Sequence, residues 1–470
     1  MKIRLIEPEP PGMHVWAKVL LPRLGLPIIA AALKEKGHDV LVYNPTMAPI
    51  DWEDVNSSDL VGLSSTTSTA STAYAFADDL RGRGIPVIIG GSHVTFMADE
   101  ALDYVDYVAR GEGGEQLMLE LIEALAGDRE LDSITGLSFK RDGVAVHNPA
   151  RAALADLDKL PFPDLRLLVG GDKLTTMPIM TSWGCPFDCT FCSVTAMFGK
   201  KYRFRSAESV VAELKDKRPE RIFFYDDNMA ANRKRLKKLL QMMIDEDLVI
   251  PWSAQVRADV VRDAELLDLM RRSGCKIVYL GLESVNQETL DRFEKSQTVA
   301  DIENAIKVLH DYDIKSHGMF VLGADDDDVQ TVRDTVTFAI KNKIDTVMLN
   351  ILTPLPGTLQ FREFDEAGRI FDKRWELYDA HHVVFEPKLM TPYELQTEVM
   401  RAYTRFYSLR QWLGYVFTFR FTKQLLFHGW GMVIIRNWRR DERNKAFIKA
   451  LKRLPRPRPA SPAQSVTTRH

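Results

Sequence analysis

Cysteine is scarce in this chain, four residues in 470, and so few cannot make a disulfide framework. No uninterrupted apolar run reaches the ~18 residues that a membrane-spanning helix requires. The opening residues, Met1-Lys2-Ile3-Arg4-Leu5-Ile6-Glu7, are too short and too charged for a secretory signal. These absences lead to the expectation of a cytoplasmic protein. Neither sign of charge prevails, with a formal net charge of -3, but the balance is uneven along the chain. Residues 401–470 hold 16 Lys and Arg against 2 Asp and Glu, whereas residues 1–400 hold 46 against 63.

What is present is a chain 45% hydrophobic and 27% charged, able to bury a sizeable core and unlike a disordered tract. At ~100–200 residues per domain its length suggests two to four domains. Three of the four cysteines, Cys185, Cys189 and Cys192, fall within eight positions, a crowding that points to a metal site.

Residues 1–126 alternate short apolar runs (3–6, 40–43, 60–64, 86–89) with helical stretches at 26–36 and 69–83. Strand, helix, strand in that order predicts a parallel sheet covered on both faces. The ligand crevice of such a sheet lies beyond the strand carboxyl ends. There this chain has small polar or glycine-rich loops: 64–68 starting at Ser64, 90–95 with Gly90, Gly91 and His93, and Gly111-Glu112-Gly113-Gly114 before another helix. The loops suit a cofactor, although tight turns alone would use the same glycines, and the spacing is not G-x-G-x-x-G. Residues 127–175 read as a linker with a short β segment at 137–146 and a proline-punctuated stretch at 160–164. A second series of strand candidates follows at 177–181, 221–225, 251–256, 276–280, 316–322 and 346–351. Six βα units predict a full or partial barrel with its chemistry at the strand carboxyl ends.

Directly after the first of these strands comes Cys185-Pro186-Phe187-Asp188-Cys189-Thr190-Phe191-Cys192, with spacing C-x3-C-x2-C. Three thiolates can hold three irons of a cubane cluster and leave the fourth open, whereas a closed cluster takes four cysteines. A structural zinc site needs four closed ligands, yet no histidine lies between His147 and His310. Cys275 precedes an apolar run and reads as a small buried hydrophobe, so iron and sulfur are favoured over zinc.

The cysteine segment resembles the cluster motif of the radical S-adenosylmethionine enzymes, matched in full, including the aromatic Phe191 before the last cysteine. The resemblance covers roughly residues 176–390. It implies a 4Fe-4S cluster on Cys185, Cys189 and Cys192 whose open iron is chelated by S-adenosylmethionine, which one electron then cleaves to a 5'-deoxyadenosyl radical. It also implies that Asp226, Asp227 and Asn228 hold the methionine ammonium, with Gln255, Arg257 and Glu283 at the next strand ends. Carboxylates suit an ammonium and an arginine suits a carboxylate. Asp227 and Asn228 also precede a helical stretch, so helix cap and ligand stand even. Residues 325–328 read as a solvated helix start.

The first domain resembles the cobalamin-binding domain fused in front of one branch of this family. The carrying residues are Leu24-Gly25-Leu26-Pro27, Ile89-Gly90-Gly91-Ser92-His93-Val94-Thr95 and Arg110-Gly111-Glu112-Gly113-Gly114-Glu115. Cofactor contacts are then expected from Ser64, Gly90, Gly91, His93, Gly111 and Glu112. The D-x-H-x-x-G motif that supplies a histidine to cobalt elsewhere is absent, and His93 reads more readily as a hydrogen-bonding loop residue than as a ligand. The branch includes the anaerobic magnesium-protoporphyrin ester cyclase and cobalamin-dependent methylases. The transfer-RNA methylthiotransferases carry a second cluster on amino-terminal cysteines, and no cysteine precedes Cys185.

Between residues 403 and 438 aromatics such as Phe406, Trp412, Phe419, Phe427 and Trp430 interleave with Arg410, Arg420, Lys423 and Arg436. An interfacial membrane helix and a lid on the barrel account for this equally, and single-stranded nucleic acid ranks third. Arg420, Lys423 and His428 interrupt the apolar run, which argues against a spanning helix.

The expected architecture is α/β. A doubly wound parallel-sheet, Rossmann-like cobalamin-binding domain covers 1–140, a linker 141–175, and a partial (β/α)6 radical S-adenosylmethionine barrel 176–390. A helical basic-aromatic region covers 391–453 and a disordered tail 454–470. The expected function is radical modification of an unactivated carbon, by methylation or by oxidative cyclisation, on a hydrophobic lipid or tetrapyrrole. An electron donor such as flavodoxin or ferredoxin and peripheral membrane contact complete the expected partners, and no catalytic residue is singled out. The competing readings are a radical enzyme without cobalamin and a non-catalytic iron-sulfur or zinc scaffold.

Overall fold

The computed structural model describes residues 1–12, 20–417 and 423–454. The expected tail beyond 454 and Phe419, Arg420 and Phe421 lie outside the described residues.

Strands β1 (Lys2–Ile6), β2 (Asp39–Tyr43), β3 (Leu60–Ser64), β4 (Val87–Gly90) and β5 (Tyr107–Ala109) pair in parallel in the order β2-β1-β3-β4-β5. They are rich in Ile, Leu and Val and buried on both faces, as a parallel sheet requires. In β1, Ile3 and Leu5 join the core under the helices Gly25–Glu35 and Gly114–Leu125, and Ile6 joins the opposite core with the helix Ala70–Gly82. Two further strands, β6 (Leu137–Arg141) and β7 (Val144–His147), extend the sheet antiparallel. Their turn is Asp142-Gly143, both with positive φ, the geometry that suits a two-residue hairpin. The first sheet therefore runs past residue 140 and is not purely parallel.

The expected linker is structural too. Leu168 bridges to Val42 at the opposite edge of the sheet, and Lys173 donates to the Met47 carbonyl. Residues 141–175 thus grip both edges of the first sheet on their way to the second.

The second sheet opens with β8 (Met177–Ile179). A two-stranded ribbon, β9 (Ser182–Trp183) with β10 (Arg203–Phe204), closes the base of the cysteine segment. The sheet continues with β11 (Ile222–Phe224), β12 (Trp252–Val256), β13 (Cys275–Glu283), β14 (Lys315–Leu322) and β15 (Thr346–Ile351). All six pair in parallel in the order β15-β14-β13-β12-β11-β8, an open barrel. Strand β13 is longer than expected because it carries a bulge near its end, where Glu283 has φ 62°. Cys275 is buried at the start of β13, at the end of the sheet opposite the other cysteines.

Within residues 325–328, Asp328 caps the helix Val329–Lys341, as expected. Asp327 is not solvated, however: it is fully buried and accepts from the Gly323 and Ala324 amides and the Thr289 hydroxyl. The helix Pro392–Phe406 covers β15. There Leu349 N donates to the Tyr403 hydroxyl and Val347 N to the Tyr407 hydroxyl, so two tyrosines satisfy an edge that would otherwise bare its amides.

Candidate active site

The site begins with how β8 leaves the sheet. Asp226, just beyond β11, is fully buried, and its carboxylate accepts from the amides of Thr181 (2.7 Å) and Ser182 (2.9 Å) and from the Thr181 hydroxyl. Arg235 donates to the same Thr181 hydroxyl at 2.7 Å and to its carbonyl at 3.1 Å. Burial pushes the Asp226 carboxyl above the usual range, against the pull of Arg235. Asp226 therefore ties the turn after β8 to the end of β11. It does not stand beside Asp227 as a second open carboxylate.

Past that turn, Gly184 has φ 80°, and a β-carbon there would lie 2.6 Å from the Lys201 carbonyl oxygen. Only glycine lets the chain enter the cysteine loop so close to its return. Cys185, Cys189 and Cys192 are half-buried free thiols. Burial pushes Cys192 up to about 12 and Cys189 up as well, and the other cysteines add to both shifts. Thiols in this setting become thiolates only when a cation holds them. Three thiols carried on one loop match the three corners of a 4Fe-4S cubane, each of which takes one thiolate.

The loop is held from several sides. The Arg257 guanidinium lies 3.7 Å from the Phe187 ring centroid and donates to the Lys295 carbonyl. Phe191 packs on Phe293 with centroids 4.6 Å apart, and the Gln360 amide donates to the Thr190 carbonyl. Arg257 is thus engaged with the loop itself.

Asp227 is exposed at the rim, with the Gly184 amide facing its carboxyl and the Cys192 thiol within its field. The protein mass around it, and then the charge of Asp226, raise its carboxyl to about 6. Asn228 is buried with Oδ1 lacking a hydrogen bond. Neither residue caps the next helix: Asn232 does, accepting from the Arg235 amide. Such an orphaned acceptor beside an open carboxylate fits the ammonium of a bound ligand. Glu283 is buried and paired with Lys295 at 2.6 Å. Gln255 is half-buried in β12. Lys295, Phe187 and Arg203 were not singled out from sequence. Phe187 lay inside the motif and was visible there, whereas nothing in the sequence marked Lys295 or Arg203.

In the first domain, Ser64 and Gly90 lie in register at the ends of β3 and β4. Gly91 has φ 115°, with the Ser65 carbonyl oxygen 2.2 Å from where a β-carbon would stand. The Gly111 amide donates to Thr95 Oγ1, and the space a side chain at Gly111 would occupy is open. Small residues and free space at these strand ends fit a bulky cofactor such as cobalamin. Two of the expected contacts point elsewhere. His93 is fully buried, 4.9 Å from the Trp375 ring, with Nε2 3.4 Å from Glu100. Glu112 makes a two-pronged ion pair with Arg203 of β10, both oxygens at 2.6 Å. That pair joins the loop after β5 to the base of the cysteine ribbon and so brings the strand carboxyl ends of the first sheet beside the cysteine loop of the second. Phe96 stands where a side chain at Gly357 would go, a second contact between the halves.

Comparison with known proteins agrees with both halves. Residues 179–339 match the radical SAM superfamily and residues 16–119 the B12 binding domain. The chain is 31% identical over 405 residues to an uncharacterized methyltransferase of Pyrococcus horikoshii, covering 82% of this chain and 88% of that one. It is 29% identical over 372 residues to bacteriochlorophyllide d C-12(1)-methyltransferase of Chlorobaculum tepidum, covering 77% of each. Among solved structures, TsrM of Kitasatospora setae, a radical S-adenosylmethionine methyltransferase with cobalamin and a [4Fe-4S] cluster bound, superposes with a TM-score of 0.64 at 19% identity. The overlap covers 78% of this chain and 75% of that one.

Proposed function

The chain belongs to the radical S-adenosylmethionine superfamily, in the branch that carries a cobalamin-binding domain, and from that premise we propose that it methylates an unactivated carbon of a hydrophobic polycyclic substrate of the tetrapyrrole type. When bound, the cluster supplies the electron that cleaves S-adenosylmethionine to a 5'-deoxyadenosyl radical, and cobalamin supplies the methyl group. The observation that carries the reading is the Glu112–Arg203 pair, because it holds the crevice of the first sheet against the cysteine loop of the second.

In this reading Cys185, Cys189 and Cys192 hold the cluster, and Asp227 and Asn228 receive the methionine ammonium. Arg257 lies within the field of Cys189 with Nε lacking a hydrogen bond and offers its charge toward the methionine carboxylate, while Lys295 is held by Glu283. Asp226, Phe187 and Phe191 are positioning residues: they fix the loop that carries the thiols. Ser64, Gly90, Gly91 and Gly111 line the cobalamin crevice, while His93 and Glu112 hold the two halves together. The tetrapyrrole class rests on the name of the Chlorobaculum relative. An external one-electron donor of the flavodoxin or ferredoxin type, in the cytoplasm, completes the reaction.

The test is anaerobic incubation of cluster-loaded protein with S-adenosylmethionine, a reductant and cobalamin, with Cys185→Ala as control. The expected result is 5'-deoxyadenosine and S-adenosylhomocysteine together, both lost in the control. Deoxyadenosine without S-adenosylhomocysteine, in the presence of a tetrapyrrole acceptor, would remove methylation. Neither product from fully loaded protein would return the chain to a scaffold.

A further inference from the structure

The C-terminal helix pair turns an apolar stripe outward. In the helix Lys423–Arg440, His428, Ile435 and Trp438 are buried, spaced as one helical face. His428 Nε2 lies 3.2 Å from the Asp345 carbonyl oxygen, and the Tyr407 ring fills the place a side chain at Gly431 would need. These contacts fix the helix in rotation, and its opposite face is exposed, with Leu426 at 73%, Val433 at 52% and Trp430 at 40%, while Phe427, at 47%, is exposed on its flank. The neighbouring helix Leu409–Phe417 adds Leu409 and Leu413, also exposed.

One turn beyond Val433 the helix becomes cationic, with Arg436 and Arg440 on the outward side and Arg439 at the helix end, all exposed. Residues 399–440 contain eight Lys and Arg and no Asp or Glu. A second copy of the chain is a poor occupant, because two such faces would bring like charges together. Single-stranded nucleic acid would use the rings but leave Leu409, Leu426 and Val433 without a role, since aliphatic side chains do not stack on bases. An anionic bilayer uses every part of the face: rings and aliphatic chains enter the headgroup boundary, and arginines meet the lipid charge. Among the described residues no helix is long and apolar enough to cross a membrane, so the face suits a surface contact.

We propose that this face docks the protein on an anionic lipid surface through Leu426, Phe427, Trp430 and Val433, with Arg436, Arg439 and Arg440 against the headgroups. The docking stands apart from the catalytic reading, since none of these residues belongs to the cofactor site.

The test is flotation of the full chain with phosphatidylcholine vesicles, with and without phosphatidylglycerol. Binding is expected only to the anionic vesicles, weakening as salt rises. The triple variant R436Q/R439Q/R440Q is expected to lower partitioning about tenfold or more. The variant L426S/F427S/W430S is expected to lower it by a similar factor, and both keep the wild-type circular dichroism because the replaced side chains are exposed. No flotation with anionic vesicles at low salt, equal flotation with neutral ones, or flotation unchanged in both variants would overturn the proposal. Self-association or RNA binding abolished by the serine variant, with no flotation, would assign the face to those partners instead. Deoxyadenosine formation measured on the same samples keeps a failure of docking distinct from a failure of the catalytic reading.

Discussion

The two parallel sheets bring their strand carboxyl ends together across the Glu112–Arg203 pair but offer opposite chemistry there. The first presents the small residues Ser64, Gly90, Gly91 and Gly111, and its nearby polar side chains are already engaged: Glu112 with Arg203, His93 with Trp375 and Glu100. The second presents three thiols, an open carboxylate at Asp227, and the Glu283–Lys295 pair. A bulky ligand is held by shape through many weak contacts. A small charged one needs a few strong groups held by others. The first sheet should therefore respond to changes of volume and backbone, the second to single changes of functional group.

The largest expected effect sharpens that contrast. Cys192→Ser should abolish the visible absorption of the reconstituted cluster and all deoxyadenosine formation, while cobalamin binding, followed by anaerobic titration, stays intact. Loss of cobalamin binding as well would mean the two crevices are not separate. Next, Glu112→Gln leaves Arg203 buried without its partner and should cost about 3–5 kcal/mol in urea unfolding. Pairing it with Arg203→Met should recover much of that loss. A smaller effect is expected of Gly91→Ala, where a strained φ and the Ser65 carbonyl oppose any β-carbon, at about 1–3 kcal/mol. Cobalamin uptake should fall while iron content holds, and an equal loss of iron would break the comparison.

The smallest effect concerns neither sheet. His382 bonds Asp379 at 2.9 Å and Asn444 at 3.0 Å, linking the turn at 379–382 to the helix Glu442–Leu451. Burial opposes its charge, but Asp379, Asn444 and Asp441 together raise it above the ordinary 6.5. A raised histidine contributes its full stability below 6.5 and loses it as pH rises through the folded value. The melting temperature should therefore decline from pH 6 toward pH 8, and His382→Gln should flatten that slope.

Much of the fold was legible because hydrophobic periodicity is local. The strands at 346–351 and 60–64 are where the pattern put them. The hairpin Leu137–His147 was recognised as β, but not its place in the first sheet, since strand pairing across an edge leaves no local mark. At the site, C-x3-C-x2-C was legible for the same reason: three ligands within eight positions need no distant partner to be recognised. Asp226 and Asp227 look alike in sequence, yet one faces the Thr181 turn and the other the cleft, as alternation at a strand end dictates.

The sequence by itself determined the three cysteines of the cluster motif and the order of the strands along the chain, because both follow from side-chain type and short-range spacing. Only the tertiary structure decided which charges remain available. Glu112 meets Arg203 across 91 residues, and Glu283 meets Lys295 through a bulge. Burial makes an unpaired charge costly, so a charged group near the cleft is neutralised by whatever the packing brings beside it, and that neighbour is set by the whole fold rather than by the residue's place in the chain.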